Sequence, residues 1–149
     1  MWDDFIKATE SHFGFLETEF GFTRVSSTSP IICYETSKLR VSLFFDQLHG
    51  YELDLVIRRA IDSPTDRKSI NLGFLMLLKE GPDSKNYQSY RVSYPSTKDA
   101  LETEVKRLAD LLRVYGSHIL RGDLSSFDKI EQIEKQELAR AYARFRPKQ

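Results

Sequence analysis

Lys38-Leu39-Arg40-Val41-Ser42-Leu43-Phe44-Phe45-Asp46, followed across Gln47-Leu48-His49-Gly50 by Tyr51-Glu52-Leu53-Asp54-Leu55-Val56-Ile57-Arg58, is the stretch on which the fold turns. Leu39, Val41, Leu43 and Phe45 fall on one face of the first run, and Tyr51, Leu53, Leu55 and Ile57 on one face of the second. Alternation with period two marks a half-buried strand, so the two runs predict an antiparallel hairpin with one face in a core. The opposite faces are expected to carry Arg40, Ser42 and Asp46 on one strand and Glu52, Asp54 and Arg58 on the other, as a charged surface turned to water.

Upstream, Ile31 to Glu35 adds a third strand before the Thr36-Ser37 turn, and the Ser- and Thr-rich stretch Thr23 to Ser29 reads as a first strand and a loop, with Pro30 barring a helix. Before it, Trp2, Phe5, Ile6, Phe13, Leu16 and Phe20 recur at helical spacings. They predict an amphipathic helix from Trp2 to about Phe20, weakened at Gly14 by roughly 1 kcal/mol relative to Ala. Phe20-Gly21-Phe22 is its exit, with Gly21 as a left-handed cap. A sheet with one apolar face needs a cover, because a few strands alone are only marginally stable in water.

Downstream, Asp62 to Asp66 reads as a loop, and Ile70 to Leu78 as a short buried helix, rich in Leu rather than Val and stopped by Gly81-Pro82. Gly81 to Ser93 is expected to be an exposed loop with one extended piece near Tyr90 to Val92. Ser96 then caps a helix striped by Leu101, Val105, Leu108, Leu111, Leu112 and Tyr115, which Gly116 should end or kink. Asp123 or Ser125 caps a last helix with Phe127, Ile130, Ile133, Leu138, Ala141 and Phe145 inside, and its basic tail complements the helix dipole. The predicted class is α+β: an N-terminal helix, an antiparallel meander of about three to four strands with one face covered by helices, and a C-terminal helical pair. All 149 residues are expected to form one domain.

Composition narrows function by exclusion. Twenty-two basic and twenty-two acidic side chains cancel, so no net field draws the chain to nucleic acid or to an anionic membrane. The most apolar window, Leu72 to Leu78, is far too short to span a bilayer. The acidic opening Met1-Trp2-Asp3-Asp4 is unlike a secretory signal, which makes the cytoplasm the default location. The single cysteine, Cys33, sits in the apolar run Ile31 to Tyr34 and reads as a buried, inert thiol.

No chemistry announces itself by spacing. The glycines fit no phosphate-binding loop, and His12, His49 and His118 lie in different elements, so no cofactor and no metal are expected. Glu52 and Asp54 could act as paired carboxylates, but Arg40 and Arg58 share their face, and cross-strand ion pairing accounts for the same residues without a reaction. Tyr87, Tyr90 and Tyr94 alternate with Lys85 and Arg91; they suit a protein contact or a loop pinned to the core better than a base-stacking platform, which would need a positive groove.

Four short patterns carry a resemblance. They are Phe20-Gly21-Phe22 at a helix exit, the strand pair Tyr34-Glu35, the hairpin pair Phe44-Phe45 followed by Asp46, and Leu120-Arg121-Gly122-Asp123 with Phe127 beyond. Together the chain resembles small bacterial cytosolic proteins of immunity type, although its neutral charge departs from the acidic balance common among them. The resemblance implies a non-enzymatic protein that neutralises a toxin by binding it. The residues expected to meet the partner protein are Arg40, Asp46, Glu52, Asp54 and Arg58 on the sheet, with Tyr87 and Tyr90 in the loop. Two other expectations stay open: an enzyme or small-ligand site between sheet and helices using His49 or His118, and an accessory protein that self-associates through its C-terminal helices.

Overall fold

A computed structural model of the chain describes residues 1–60 and 69–145. The expected Asp62 to Asp66 loop lies outside them, as do the side chains of Arg144, Phe145, Arg146 and Lys148. Helices α1 (Trp2–Phe13) and α2 (Phe15–Thr18) lead into strands β1 (Thr23–Thr28), β2 (Ile31–Glu35), β3 (Leu39–Phe45), β4 (Leu53–Arg59) and β5 (Ser69–Ile70). Helices α3 (Leu72–Glu80), α4 (Lys85–Ser89), α5 (Lys98–Leu120) and α6 (Ser125–Phe145) complete the chain. The strands form one antiparallel sheet in the order β1-β2-β3-β4-β5, an α+β fold with a somewhat larger meander than the sequence predicts.

The hairpin register follows the alternation. Val41 lies opposite Ile57, Leu43 opposite Leu55 and Phe45 opposite Leu53, and all six side chains are shut away from solvent. Helices cover this inner face. Phe5 of α1 lies against Phe45 with ring centroids 5.3 Å apart, α1 and α3 both pack on α5, and the start of α6 packs on α3 and β5. A buried Leu, Val, Ile or Phe contributes about 1.5–3 kcal/mol relative to exposure, so this face dominates the stability of the domain.

The helical segments follow local chemistry, with corrections. The first helix breaks at Gly14, as its weak middle suggests. Gly21, at φ +72°, turns the exit so that the Phe22 N–H donates to the Leu16 carbonyl at 2.9 Å and the Phe22 ring is buried. Ile70 belongs to β5 rather than to the following helix, because Asn71 intervenes in extended backbone and its side chain accepts from the Phe74 N–H at 2.9 Å. The Gly81 to Ser93 segment is not a bare loop. Ser84 caps the short helix α4 through the Tyr87 N–H, and the extended piece comes at Ser93, whose carbonyl accepts from the Leu53 N–H at 2.9 Å.

Thr97, not Ser96, caps α5, its hydroxyl accepting from the Ala100 N–H at 3.2 Å. Gly116 neither ends nor kinks that helix. A Cβ there would stand 2.7 Å from Cδ1 of Leu112, one turn back in the same helix, so the glycine leaves room for that side chain, whereas Leu75 of α3 would be in ordinary contact at 3.5 Å. In α6 the predicted inner face holds only at the start: Phe127 and Ile130 are buried, whereas Leu138 is 59% exposed. The cause is reach. A helix of 21 residues is about 31 Å long, and its distal half extends past the neighbours that cover its first turns.

Candidate functional site

The face of the sheet opposite the helices lies open among the described residues. Its side chains stand in cross-strand rows set by the register. One row contains Thr28, Ile31, Phe44 and Asp54; the next contains Cys33, Ser42 and Val56; the third contains Glu35, Arg40 and Arg58. They line a shallow trough of about 720 Å³, bounded on the β1 side by Val25. Val25 is 51% and Ile31 40% exposed, and Phe44 and Val56 are half-buried. The expected charged face therefore also carries apolar side chains.

The missed residues had a legible signal. Leu43-Phe44-Phe45 and Leu55-Val56-Ile57 are unbroken apolar triplets, and a strand apolar at three successive positions is apolar on both faces. Alternation read for its inner members alone passes over the outer ones.

Arg40 lies directly opposite Arg58, not opposite a carboxylate, so the expected ion pairing across the hairpin is replaced by a like-charge pair. Arg40 pairs instead with Glu35 on β2. Asp54 stands opposite Phe44, two rows from Arg58 and about 13 Å along the strand at about 3.3 Å per residue. Burial pushes its carboxyl above the usual range; the Leu55 N–H, donating at 2.8 Å, opposes this, and the charge of Glu52 adds to it. The trough thus has Asp54 in one outer row, beside Ile31 and Phe44, and Glu35, Arg40 and Arg58 in the other.

Asp46 is taken up by the hairpin turn. One of its oxygens accepts from the Leu48 and His49 N–H groups at 3.2 and 2.9 Å and lies 3.3 Å from the His49 ring. Tyr87 and Tyr90 do not join the trough. They line a separate hollow of about 330 Å³ with Asn71, Gly73 and Phe74, both packed on the core. Burial, the nearby charge of Asp54 and the opposing Arg107 leave the Tyr90 hydroxyl pushed up to about 12, and the Arg107 guanidinium sits 5.7 Å from the ring centre. Of the two readings of these tyrosines, the packing fits a loop pinned to the core.

Reactive groups are dispersed. Cys33 is buried in the trough floor and accepts from the Ser42 hydroxyl at 3.5 Å, while burial pushes its thiol up, away from the thiolate a nucleophile needs. His118 faces the Ser126 hydroxyl at 2.9 Å and links α5 to α6, and His12 lies 3.6 Å from Glu102. His49 stands at the hairpin turn, far in the chain from both. Among the described residues no three His, Cys, Asp or Glu side chains are grouped to hold a metal ion. No helix among them is long and apolar enough to cross a membrane.

Compared with family models, curated proteins and solved structures, the chain matches none.

Proposed function

We propose that this chain is a non-enzymatic protein-binding module whose docking surface is the open face of the sheet. In its finer form it is an immunity-like inhibitor that covers a toxin in the bacterial cytoplasm. One observation carries the reading: Val25, Ile31, Phe44 and Val56 line one trough on the sheet face that no described element covers, with Ile31 and Phe44 side by side in the register. Contiguous exposed apolar surface rimmed by polar groups marks interaction sites, and the arrangement of apolar floor and charged rim matches the anatomy of protein interfaces. The short patterns at residues 20–22, 44–46 and 120–123 support the finer form by resemblance.

The test is co-purification from the host with the tagged chain. Phe44→Glu places a charge on the floor, and Glu52→Lys with Asp54→Lys reverses one end of the trough. Loss of a specific partner from both variants, with melting unchanged, is the expected result. A partner retained by Phe44→Glu overturns the sheet-face reading, and identification of that partner as other than a toxin removes the finer form.

A further inference from the structure

We propose that the trough on the open face of the sheet binds an apolar carboxylate of acyl-chain type, its anionic head on Arg58 and its tail over Val56 towards Phe44 and Ile31. The inference rests on the docking-face reading for its place and goes beyond it in naming a small ligand. Charge selects the head group. Arg58 and Arg40 stand opposite one another on β4 and β3, and Arg40 is already held by Glu35. Among the described residues Arg58 has no ion-pair partner. An anion there offsets the repulsion between the two guanidinium groups, and the parallel N–H groups of an arginine fit the two oxygens of a carboxylate.

The register sets the course of the tail. On β4, Val56 lies between Arg58 and Asp54 on the same face. The middle row, Cys33, Ser42 and Val56, carries no charge, and the Ser42 hydroxyl is turned to the Cys33 sulfur at 3.5 Å. Beyond it Phe44 stands beside Ile31. From the Arg58 row to the Phe44 row is about 13 Å, four residues at about 3.3 Å each, a span that an extended chain of decanoate length covers. The one ionisable side chain in the far row is Asp54, and burial pushes its carboxyl up, towards the neutral form beside which an apolar tail is tolerated.

Size and openness set the strength. A volume of about 720 Å³ falls in the range of small-molecule sites, about 300–1,000 Å³. The trough is shallow, however, and leaves one side of its occupant in water. For a ligand of about a dozen heavy atoms this gives a Kd on the order of 0.1–1 mM.

The probe is decanoate, titrated to about 5 mM into the isolated chain at neutral pH while methyl signals are followed by NMR. Ile31 and Val56 are expected to shift saturably, with Leu55 and Ile57 unmoved. Arg58→Glu, at unchanged melting, should weaken binding at least about tenfold. Decyltrimethylammonium, with the same tail and a cationic head, should bind the wild-type chain at least about tenfold more weakly than decanoate, a comparison that needs no variant to fold. Absence of saturable shifts at Ile31 and Val56, equal binding of the two amphiphiles, or undiminished binding by Arg58→Glu overturns the site. The docking-face reading falls by a separate result, a host partner still held by Phe44→Glu.

Discussion

The two faces of the hairpin formed by β3 and β4 share one backbone and one register, yet they carry different burdens. On the inner face Val41, Leu43, Phe45, Leu53, Leu55 and Ile57 are closed off from water by helices. On the outer face Phe44, beside Asp54, and Val56, in the next row, remain half-open. A polar outer face would need no explanation, since one solvated side is normal for an antiparallel sheet. An apolar strip on that side is only half-buried in the isolated fold, and it is the surface proposed above for docking.

The largest expected effect lies inside. Leu55→Ala should cost about 2–5 kcal/mol in denaturant unfolding, the range for truncating a closely packed Leu. Its neighbour in the chain is the control: Val56→Ala should cost under about 1 kcal/mol, because its side chain is only half-buried and partly wet. Equal costs at 55 and 56 would erase the distinction between the faces.

Asp54 sharpens the comparison through pH. Its folded-state value lies above the ordinary 3.8, so between the two the folded chain keeps a proton that the unfolded chain has lost. Stability therefore falls as pH rises through that window. At concentrations where the chain is monomeric, Asp54→Asn should melt above the wild type at neutral pH, and the difference should vanish below about pH 3.8, where Asp54 is protonated in both states. A melting difference that persists at low pH would show that the carboxylate is not the cause.

Arg58→Ala should change melting least. It removes one member of a like-charge pair with Arg40, so the expected shift is slightly upward and smaller at high salt, where exposed charges are screened. A clear loss of stability would mean that Arg58 serves the fold.

Much of the inner architecture is legible in the sequence because it obeys single periods. Period two gives β3 and β4 to within two residues at each end, the stripe from Leu101 to Tyr115 gives α5, and Phe20-Gly21-Phe22 gives the first exit. Other features depend on information that a period does not contain. Ser96 and Thr97 are both able to cap, and only backbone geometry chooses Thr97. The stripe of α6 continues past Ile130, but nothing in the stripe records that the covering elements stop there. Gly116 reads as a break but lies within an unbroken helix and leaves room for the Leu112 side chain, a packing detail that the sequence does not show. At the candidate site the charged residues are legible, whereas the apolar ones are masked by the stronger alternation of their inner neighbours. The pairing of Arg40 with Arg58 follows from the turn length, which sets the register of the hairpin.

Methyl relaxation by a dissolved paramagnetic agent tests the division between the faces most directly, comparing Ile31 and Val56 with Leu55 and Ile57. In dilute solution the two outer residues should relax fast and the two inner ones slowly. Outer methyls as protected as the inner ones in dilute solution would contradict this account.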